Sequence, residues 1–384
     1  MLRDARRMTA QRAYDVIVVG AGIVGLAHAY HAHRRGLSVA VVDHADRVVG
    51  ASVRNFGHAC ITAQSGTALD YARAGRRHWL DLARKAGFWA ATPGTHCVAR
   101  HEDELAVMRE FAALRGDAVR LLTADEFRAR VPVADPTVLG GMHLPDDLQV
   151  DPRRAAPAIA RWLEEDGVDF HWRTAAVGFD PGVVRTSRGT LAAGTTFVAV
   201  GHDVDRLFPD LADRDRLARC RLHMLRVRLP SIPALPGPLF TGWSLVRYAG
   251  FAGLPSLPAL TERLRVEFPA QAAVDLHQMY TPQPDGSLLV GDTHVREYTA
   301  SPFQGEEGFA LLLDETHRLF GVDRIDVEER WQGVYSTAPG TEFLVEEPFD
   351  RVHVVTVTTG IGMTTSMGLG AVNVASALAA TASA

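Results

Sequence analysis

Three glycines near the start of the chain are the residues whose types and spacing point most directly to chemistry. They form the motif Gly20-Ala-Gly22-Ile23-Val24-Gly25, which follows a run of apolar, mostly β-branched residues. The first glycine permits a tight turn, the second lets the backbone approach a pyrophosphate, and the third allows a helix to pack closely on a strand. The amide groups at the start of that helix would face the phosphates. The motif therefore predicts a dinucleotide site, with Ile23 and Val24 among its contacts.

An acidic residue further along completes this pattern. Asp43 ends a second apolar strand, about 20 residues after the motif, where an acid takes the ribose hydroxyls of a dinucleotide. The glycine motif alone is a weak signal. Strand, glycine turn, helix, strand and acid in succession predict a βαβ unit of the Rossmann type.

The segment after this acid indicates which dinucleotide is bound. Residues 50–58 are small and polar, and near the other end of the chain a strand, a glycine and a Gly/Thr-rich helix occupy residues 352–370. Together with the glycine motif, these segments resemble the D-amino-acid oxidase superfamily of FAD enzymes, specifically its glycine oxidase and sarcosine oxidase group. The resemblance implies FAD held noncovalently, because Gly333 and Val334 replace the cysteine to which sarcosine-type enzymes attach their flavin.

The resemblance also implies which side chains and backbone segments contact FAD. Amides at the start of the C-terminal helix would stabilise the anionic reduced flavin. Beyond the glycine motif, the expected contacts are Asp43, His44, Ser52, Arg54, Asn55, Phe56, Gly57, His58, Val177, Gly201, Trp331, Gly333, Gly360, Ile361, Gly362, Met363 and Thr364.

The spread of apolar runs predicts how the elements position these residues. Buried strands are expected near the start, the middle and the end of the chain, with charged helical or Pro/Gly-rich segments between them. We therefore predict an α/β fold, in which a discontinuous Rossmann-type FAD-binding domain carries an inserted α+β substrate domain built on a mixed sheet. The FAD-binding domain is assigned to residues 14–80, 150–218 and 325–384, and the substrate domain to residues 81–149 and 219–324.

Four short motifs narrow the resemblance to one branch of the group. Residues 52–57, 220–226, 291–294 and 331–335 are similar to a branch associated with the breakdown of aminophosphonates, such as 2-aminoethylphosphonate and its N-methyl form. The reaction of the group oxidises a C–N bond. Hydride passes to flavin N5, the imine hydrolyses to an aldehyde and an amine, and O2 reoxidises the flavin with release of H2O2.

The expected substrate contacts follow from a departure from the family pattern. Amino-acid oxidases of the superfamily carry an arginine that clamps a carboxylate, where this chain has Tyr335. A different anion grip is therefore expected, and Arg247 beside Tyr248 is the candidate, since a planar guanidinium suits phosphonate or carboxylate oxygens. His58, His294 and Tyr335 are the candidate catalytic residues. His294 and Tyr335 are also candidate substrate contacts.

Other ionisable residues are assigned no catalytic role. Lys85 is the only lysine of the chain, and its predicted outer helix argues against its replacing the oxygen-activating lysine of sarcosine-type enzymes. His277 is interpreted as structural. No metal site is expected, because the histidines of the first helix lack a carboxylate or thiol to complete a ligand shell.

Composition and charge restrict the partners. A formal net charge of -5 gives no indication of nucleic-acid binding. The segment before Tyr14 lacks the apolar run of a signal peptide, no apolar stretch is long enough to span a membrane, and the three cysteines form no CxxC pair. We expect a cytoplasmic enzyme whose partners are a small amine and O2, with the oligomeric state left open.

Three alternatives stay open. The nearest is an amino-acid oxidase of the glycine or sarcosine type, and an oxidase is favoured over a dehydrogenase. A flavin monooxygenase also carries a Gly-Asp motif, but the Pro-x-x-Gly-x-Gly run expected after Asp292 is missing. The third alternative is a noncatalytic FAD-binding subunit.

Overall fold

The computed structural model describes residues 13–383, so the prediction about a signal peptide falls almost entirely outside the described residues. The strands in this range are, in chain order, β1 (Ala13–Val19), β2 (Val39–Val42), β3 (His58–Ala59), β4 (Ala90–Ala91), β5 (Thr95–Ala99), β6 (Arg120–Thr123), β7 (Gly140–Leu144), β8 (Leu148–Val150), β9 (Asp169–His171), β10 (Ala176–Asp180), β11 (Val183–Thr186), β12 (Gly189–Val198), β13 (Ala218–Arg228), β14 (Leu239–Phe240), β15 (Met279–Pro282), β16 (Leu288–Gly291), β17 (Val295–Glu297), β18 (Asp326–Thr337), β19 (Phe343–Phe349) and β20 (Val352–Val357).

The helices are, in the same order, α1 (Ile23–His33), α2 (Gly66–Ala86), α3 (Glu102–Arg115), α4 (Ala124–Arg128), α5 (Pro152–Glu165), α6 (Val204–Leu207), α7 (Pro209–Arg214), α8 (Gly242–Arg247), α9 (Leu257–Glu267), α10 (Pro269–Ala273), α11 (Glu306–Phe320) and α12 (Gly362–Ser383). Short 3-10 turns occupy Ala51–Val53, Gly116–Ala118, Gly201–Asp203 and Ala249–Phe251.

The first sheet has a parallel core in the order β9-β2-β1-β12-β20. Antiparallel strands β10, β11 and β19 extend it. Its central strands are apolar because α1, α2, α5 and α12 form a core with one face of the sheet. The turn after β1 requires glycine: Gly20 has a φ of 105°, and a Cβ there would lie 2.4 Å from the Ala199 carbonyl oxygen.

The second sheet is mixed. Its strands follow the order β17-β13-β16-β15-β14-β5-β7-β6, and β18 also pairs with β13. Strands β14 and β5 run parallel, and the other pairs are antiparallel. A large apolar core packs α3, α8, α9 and α11 against this sheet. A small third sheet has the order β3-β8-β4.

This architecture confirms the predicted α/β fold, with a Rossmann-type sheet and a mixed sheet inserted into it. The division into domains stays a prediction. One of its boundaries does not coincide with a sheet, because β18 lies in the segment assigned to the FAD-binding domain but pairs with β13 along its length.

One of the Pro/Gly-rich segments, residues 230–258, contains strand β14, the whole of α8 and the start of α9. Their many prolines and glycines indicated breaks in structure, but Trp243 and Leu245 bury their side chains in the core and hold α8 there. Among the helices of the described residues, none has the length and apolar character needed to cross a membrane.

Candidate active site

A cavity of about 870 Å³ is lined by residues of both larger sheets. Pockets for small molecules and cofactors typically measure about 300–1,000 Å³. The residues predicted from sequence that line it are Gly20, Gly22, Ile23, Val24, Asp43, His44, Ser52, Arg54, Asn55, Phe56, His58, Val177, Gly201, Arg247, Tyr248, His294, Gly333, Tyr335, Gly360, Ile361, Gly362, Met363 and Thr364.

Three residues of the predicted set are not among those that line the cavity. Gly25 faces the strand, where a Cβ would lie 1.9 Å from the carbonyl oxygen of Gly20. A Cβ on Gly57 would lie 2.0 Å from the Val150 carbonyl oxygen. Trp331 donates its indole N–H to the carbonyl oxygen of Arg54 at 3.1 Å. All three therefore position neighbours that line the cavity.

One end of the cavity lies at the glycine loop. The Asp43 carboxylate accepts hydrogen bonds from the amides of Ala21 at 2.7 Å and Ala45 at 2.8 Å. Ser52 Oγ accepts from the amide of Ile23 at 2.8 Å. A Cβ on Gly22 would lie 3.3 Å from this Ser52 oxygen, so the position leaves little room for a side chain. The loop therefore fits the close approach of a pyrophosphate.

The start of α12 forms a second wall. Ile361, Gly362 and Met363 line the cavity there, at the positive end of a 22-residue helix. Thr364 fixes the helix to the segment after β3, because its Oγ1 accepts a hydrogen bond from the Cys60 amide at 3.1 Å. This wall can hold the electron-rich edge of a flavin ring.

A partly buried cation also lines the cavity. Arg247, the last residue of α8, donates from Nη2 to the Tyr335 hydroxyl at 2.8 Å, and its Nη1 lies 3.6 Å from Asp275 Oδ2. Burial raises the pKa of the Tyr335 phenol, which keeps its proton. Burial acts to lower the pKa of Arg247, but Tyr335, Asp292 and Asp275 raise it, and the net pKa lies above its ordinary value. A permanent positive charge thus faces the cavity.

His277 and Asp292 are among the lining residues that were missed or assigned another role from sequence. His277, interpreted as structural, lines the cavity, as does Asp292. His277 Nδ1 lies 3.3 Å from Asp292 Oδ1, and its Nε2 lies 3.1 Å from Ser244 Oγ. The other carboxylate oxygen of Asp292 lies 3.5 Å from Nε2 of His294. The Gly-Asp-Thr-His motif contained the signal for Asp292, but only the long-range pairing around β15 and β16 brings His277 beside it.

His58 lies on another wall, in a buried chain of polar groups. Its Nε2 is 2.6 Å from Thr95 Oγ1, which donates to Asp147 Oδ2 at 2.7 Å. Asp147 Oδ1 accepts from the amides of Ile61 and Thr62, both at 2.9 Å. The chain links β3, β5 and the turn before β8.

His58, Cys60 and Asp147 place potential metal-ligand atoms within 4.8 Å of one another. Both oxygens of the Asp147 carboxylate already accept hydrogen bonds. Burial raises the pKa of the Cys60 thiol well above its ordinary value, with the Asp147 charge adding to the effect. A protonated thiol is a poor metal ligand, so this set is better suited to a hydrogen-bond network.

A Rossmann-type sheet whose glycine loop opens into a cavity shared with a second sheet defines a dinucleotide-binding protein. A model of the FAD dependent oxidoreductase (DAO) family matches residues 15–375. The chain therefore belongs to this family, and FAD is its cofactor.

Two relatives give partial sequence matches. A glycine oxidase of Bacillus licheniformis is 27% identical over 210 residues, which cover 50% of this chain and 55% of that protein. A D-amino acid dehydrogenase of Helicobacter pylori is 23% identical over 246 residues, which cover 49% of this chain and 60% of that protein. Each match thus spans little more than half of the relative's length.

Solved structures match over almost the whole chain. Glycine oxidase from Geobacillus kaustophilus superposes with a TM-score of 0.76 at 21% identity, covering 96% of this chain and 95% of that one. L-Proline dehydrogenase from P. horikoshii gives a TM-score of 0.77 at 16% identity, covering 94% and 92%. At these identities, the matches establish the fold.

Proposed function

We propose that the protein oxidises the C–N bond of a small amine that carries an anionic group. The substrate class is an aminophosphonate, with 2-aminoethylphosphonate and its N-methyl form as the first candidates. The product imine hydrolyses to an aldehyde and an amine. Bound FAD supplies the hydride acceptor, and O2 returns it to the oxidised state with release of H2O2.

The observation that carries this proposal is the partly buried guanidinium of Arg247, which is held by Tyr335 in the same cavity as the glycine loop. Asp275 lies 3.6 Å from this guanidinium, and an anionic ligand in the cavity would give the positive charge a second partner. The guanidinium has five N–H donors, and phosphonate oxygens can accept several of them. His294 and Tyr248 complete the proposed substrate contacts.

The names of similar proteins support the chemistry. Glycine oxidase, D-amino acid dehydrogenase and iminodiacetate oxidase are all named for compounds in which an amine nitrogen is bonded to carbon. Oxidases and a dehydrogenase both occur among them. We propose an oxidase, consistent with the expectation from sequence.

We propose a role for each group of residues from its position in the cavity. The glycine loop, Asp43 and the segment 52–58 hold the adenosine and pyrophosphate portions of noncovalent FAD. The start of α12 faces the flavin. His58, His294 and Tyr335 contact the reacting groups, and they orient the substrate or move its protons.

One other function has specific support. The match to a glycine oxidase favours a carboxylate-bearing substrate, glycine or sarcosine, because a guanidinium binds carboxylate as well as phosphonate. Against this function, the chain has Tyr335 at the position where amino-acid oxidases of the superfamily carry the arginine that binds the substrate carboxylate.

Anaerobic reduction of the FAD-loaded enzyme by a panel of amines distinguishes these functions. The panel contains 2-aminoethylphosphonate, its N-methyl form, glycine, sarcosine and propylamine, and bleaching of the oxidised flavin is followed. We expect the aminophosphonates to reduce the flavin fastest. Reduction by glycine or sarcosine alone would replace the proposal with the amino-acid oxidase, and reduction by no amine would refute both.

A further inference from the structure

We propose that Asp292 and His294 form a paired base that removes a proton from the ammonium group of the substrate. The inference rests on the proposed amine oxidation and adds Asp292 to the catalytic residues. An amine must be neutral before its α-carbon can lose hydride, because the nitrogen lone pair stabilises the cation that forms. At neutral pH most aliphatic amines arrive protonated, so the site needs a proton acceptor.

Asp292 is held rigidly at the cavity wall. Its side chain is 6% exposed and lines the cavity. Its backbone exchanges two hydrogen bonds with the backbone of His277, both at 2.7 Å. Its Oδ1 lies 3.3 Å from Nδ1 of His277 but, among the described residues, makes no hydrogen bond of good geometry. An unsatisfied buried carboxylate oxygen at a cavity wall is a natural contact for an ammonium group.

The hydrogen bond at His294 Nδ1 fixes the state of that ring. Nδ1 lies 2.8 Å from the carbonyl oxygen of Asp275, which can only accept, so Nδ1 carries the proton. In the neutral ring, Nε2 is then a bare lone pair. That lone pair is 3.5 Å from Oδ2 of Asp292, another acceptor. Two acceptors face each other, and a proton placed on Nε2 would convert them into a hydrogen-bonded ion pair.

His277 is not the proton acceptor. Its Nε2 lies 3.1 Å from the Ser244 hydroxyl, which can donate to it, while Nδ1–H faces the other oxygen of Asp292 at 3.3 Å. Both ring nitrogens of His277 therefore already have polar neighbours. The position open to a proton is on the His294 side.

Burial is the main factor that keeps Nε2 of His294 unprotonated. Burial lowers the pKa of His294 to about 4, and Arg247 contributes to the shift. Burial acts to raise the pKa of Asp292, but His294, His277 and Arg247 lower it below its ordinary value. At neutral pH the pair is thus unprotonated. The ionisable groups around it are Asp275, His277, Arg247, Tyr248, Tyr335, Cys220 and Arg296.

The proton transfer balances simply. One N–H bond of the substrate ammonium breaks, its electron pair stays on nitrogen, and the proton bonds to Nε2 of His294. The imidazolium is then stabilised by the Asp292 carboxylate. The neutral amine is left with its anionic group on Arg247, which fixes the two ends of the substrate on separate residues.

The test compares Asp292→Asn with the parent enzyme, both loaded with FAD, by the pH dependence of anaerobic flavin reduction by N-methyl-2-aminoethylphosphonate. We expect the parent enzyme to react rapidly at neutral pH. In Asp292→Asn we expect reduction slower on the order of 10²-fold at neutral pH, as loss of a general base predicts. Its rate should recover as the pH rises towards the pKa of the free amine.

Two further variants make the result decisive. Asp314→Asn changes an exposed carboxylate on α11 and should match the parent enzyme. His294→Gln should show the same alkaline recovery, which keeps the test valid if Asp292→Asn loses FAD. An equal loss of rate at every pH, or an unchanged profile in both site variants, would overturn the paired base while leaving amine oxidation standing. Failure of the parent enzyme to react would instead remove the proposed function.

Discussion

Tyr335 and Arg247 are the two cavity residues that depart most clearly from the pattern of the resembling amino-acid oxidases. Where the family pattern places an arginine, this chain carries a tyrosine on β18, and its hydroxyl accepts a hydrogen bond from a guanidinium on α8. The positive charge therefore enters the cavity from a different element. Under the proposed function, this position of the charge favours an anionic group other than the α-carboxylate.

Arg247→Lys should weaken binding of anionic amines specifically. A lysine keeps the charge but loses the fork that donates to both Tyr335 and the substrate. We expect KM for 2-aminoethylphosphonate to rise about tenfold, equivalent to about 1.4 kcal/mol, with little change for propylamine. Steady-state kinetics with Arg324→Lys, an exposed arginine, provides the control. A parallel rise in KM for both amines would show that Arg247 is structural.

The residues hardest to infer were those whose partners are distant in sequence. Asp43 could be assigned because the βαβ unit is local and its spacing is fixed by geometry. His277 could not, because its partner Asp292 becomes adjacent only through the pairing of β15 with β16. The register of the β15–β16 pair cannot be inferred from a single sequence.

At the scale of elements, the loop between β1 and α1 is the part most tightly specified by sterics. Gly20 has a positive φ, and its Cα faces the carbonyl oxygen of Ala199 on the neighbouring segment. The sequence predicted this turn correctly because only glycine satisfies it. The helix α8 was not predicted, because its stability comes from burying Trp243 and Leu245 rather than from local propensity.

Gly20→Ala should impair FAD binding through a backbone clash. The added Cβ would lie 2.4 Å from the Ala199 carbonyl oxygen, so the loop must shift from the position that receives the pyrophosphate. Gly36→Ala is a matched control, since Gly36 also has a positive φ, of 77°, but has no atom within 4 Å of an added Cβ. We expect Gly20→Ala to purify largely without FAD and Gly36→Ala to retain it, by visible absorbance. Equal FAD content in the two variants would contradict the role given to the loop.

At the scale of the whole molecule, the two sheets share one cavity, and many histidines lie in the surrounding cores. Burial lowers the pKa of His28 to about 4, of His31 to about 3, of His96 to about 4 and of His294 to about 4. These rings are neutral in the folded protein at pH values where the unfolded chain protonates them.

The free energy of unfolding should therefore fall as the pH is lowered from about 6.5 to about 4. In this window the unfolded chain binds more protons than the folded one, so each buried histidine lowers the free energy of unfolding by up to about 1.4 kcal/mol per pH unit. Urea unfolding at a series of pH values, with excess FAD, measures the slope. His31→Leu should reduce it. Stability that is constant or increases on acidification through this window would contradict the assignment of neutral buried histidines.

The central claim, oxidation of a C–N bond, is tested most directly by a single anaerobic experiment. The FAD-loaded enzyme is mixed with 2-aminoethylphosphonate carrying either hydrogen or deuterium on the carbon next to nitrogen, and flavin bleaching and aldehyde formation are followed together. We expect bleaching, one aldehyde for each flavin reduced, and slower bleaching with the deuterated amine. Bleaching without aldehyde, or at a rate insensitive to deuterium and with no amine consumed, would contradict the central claim.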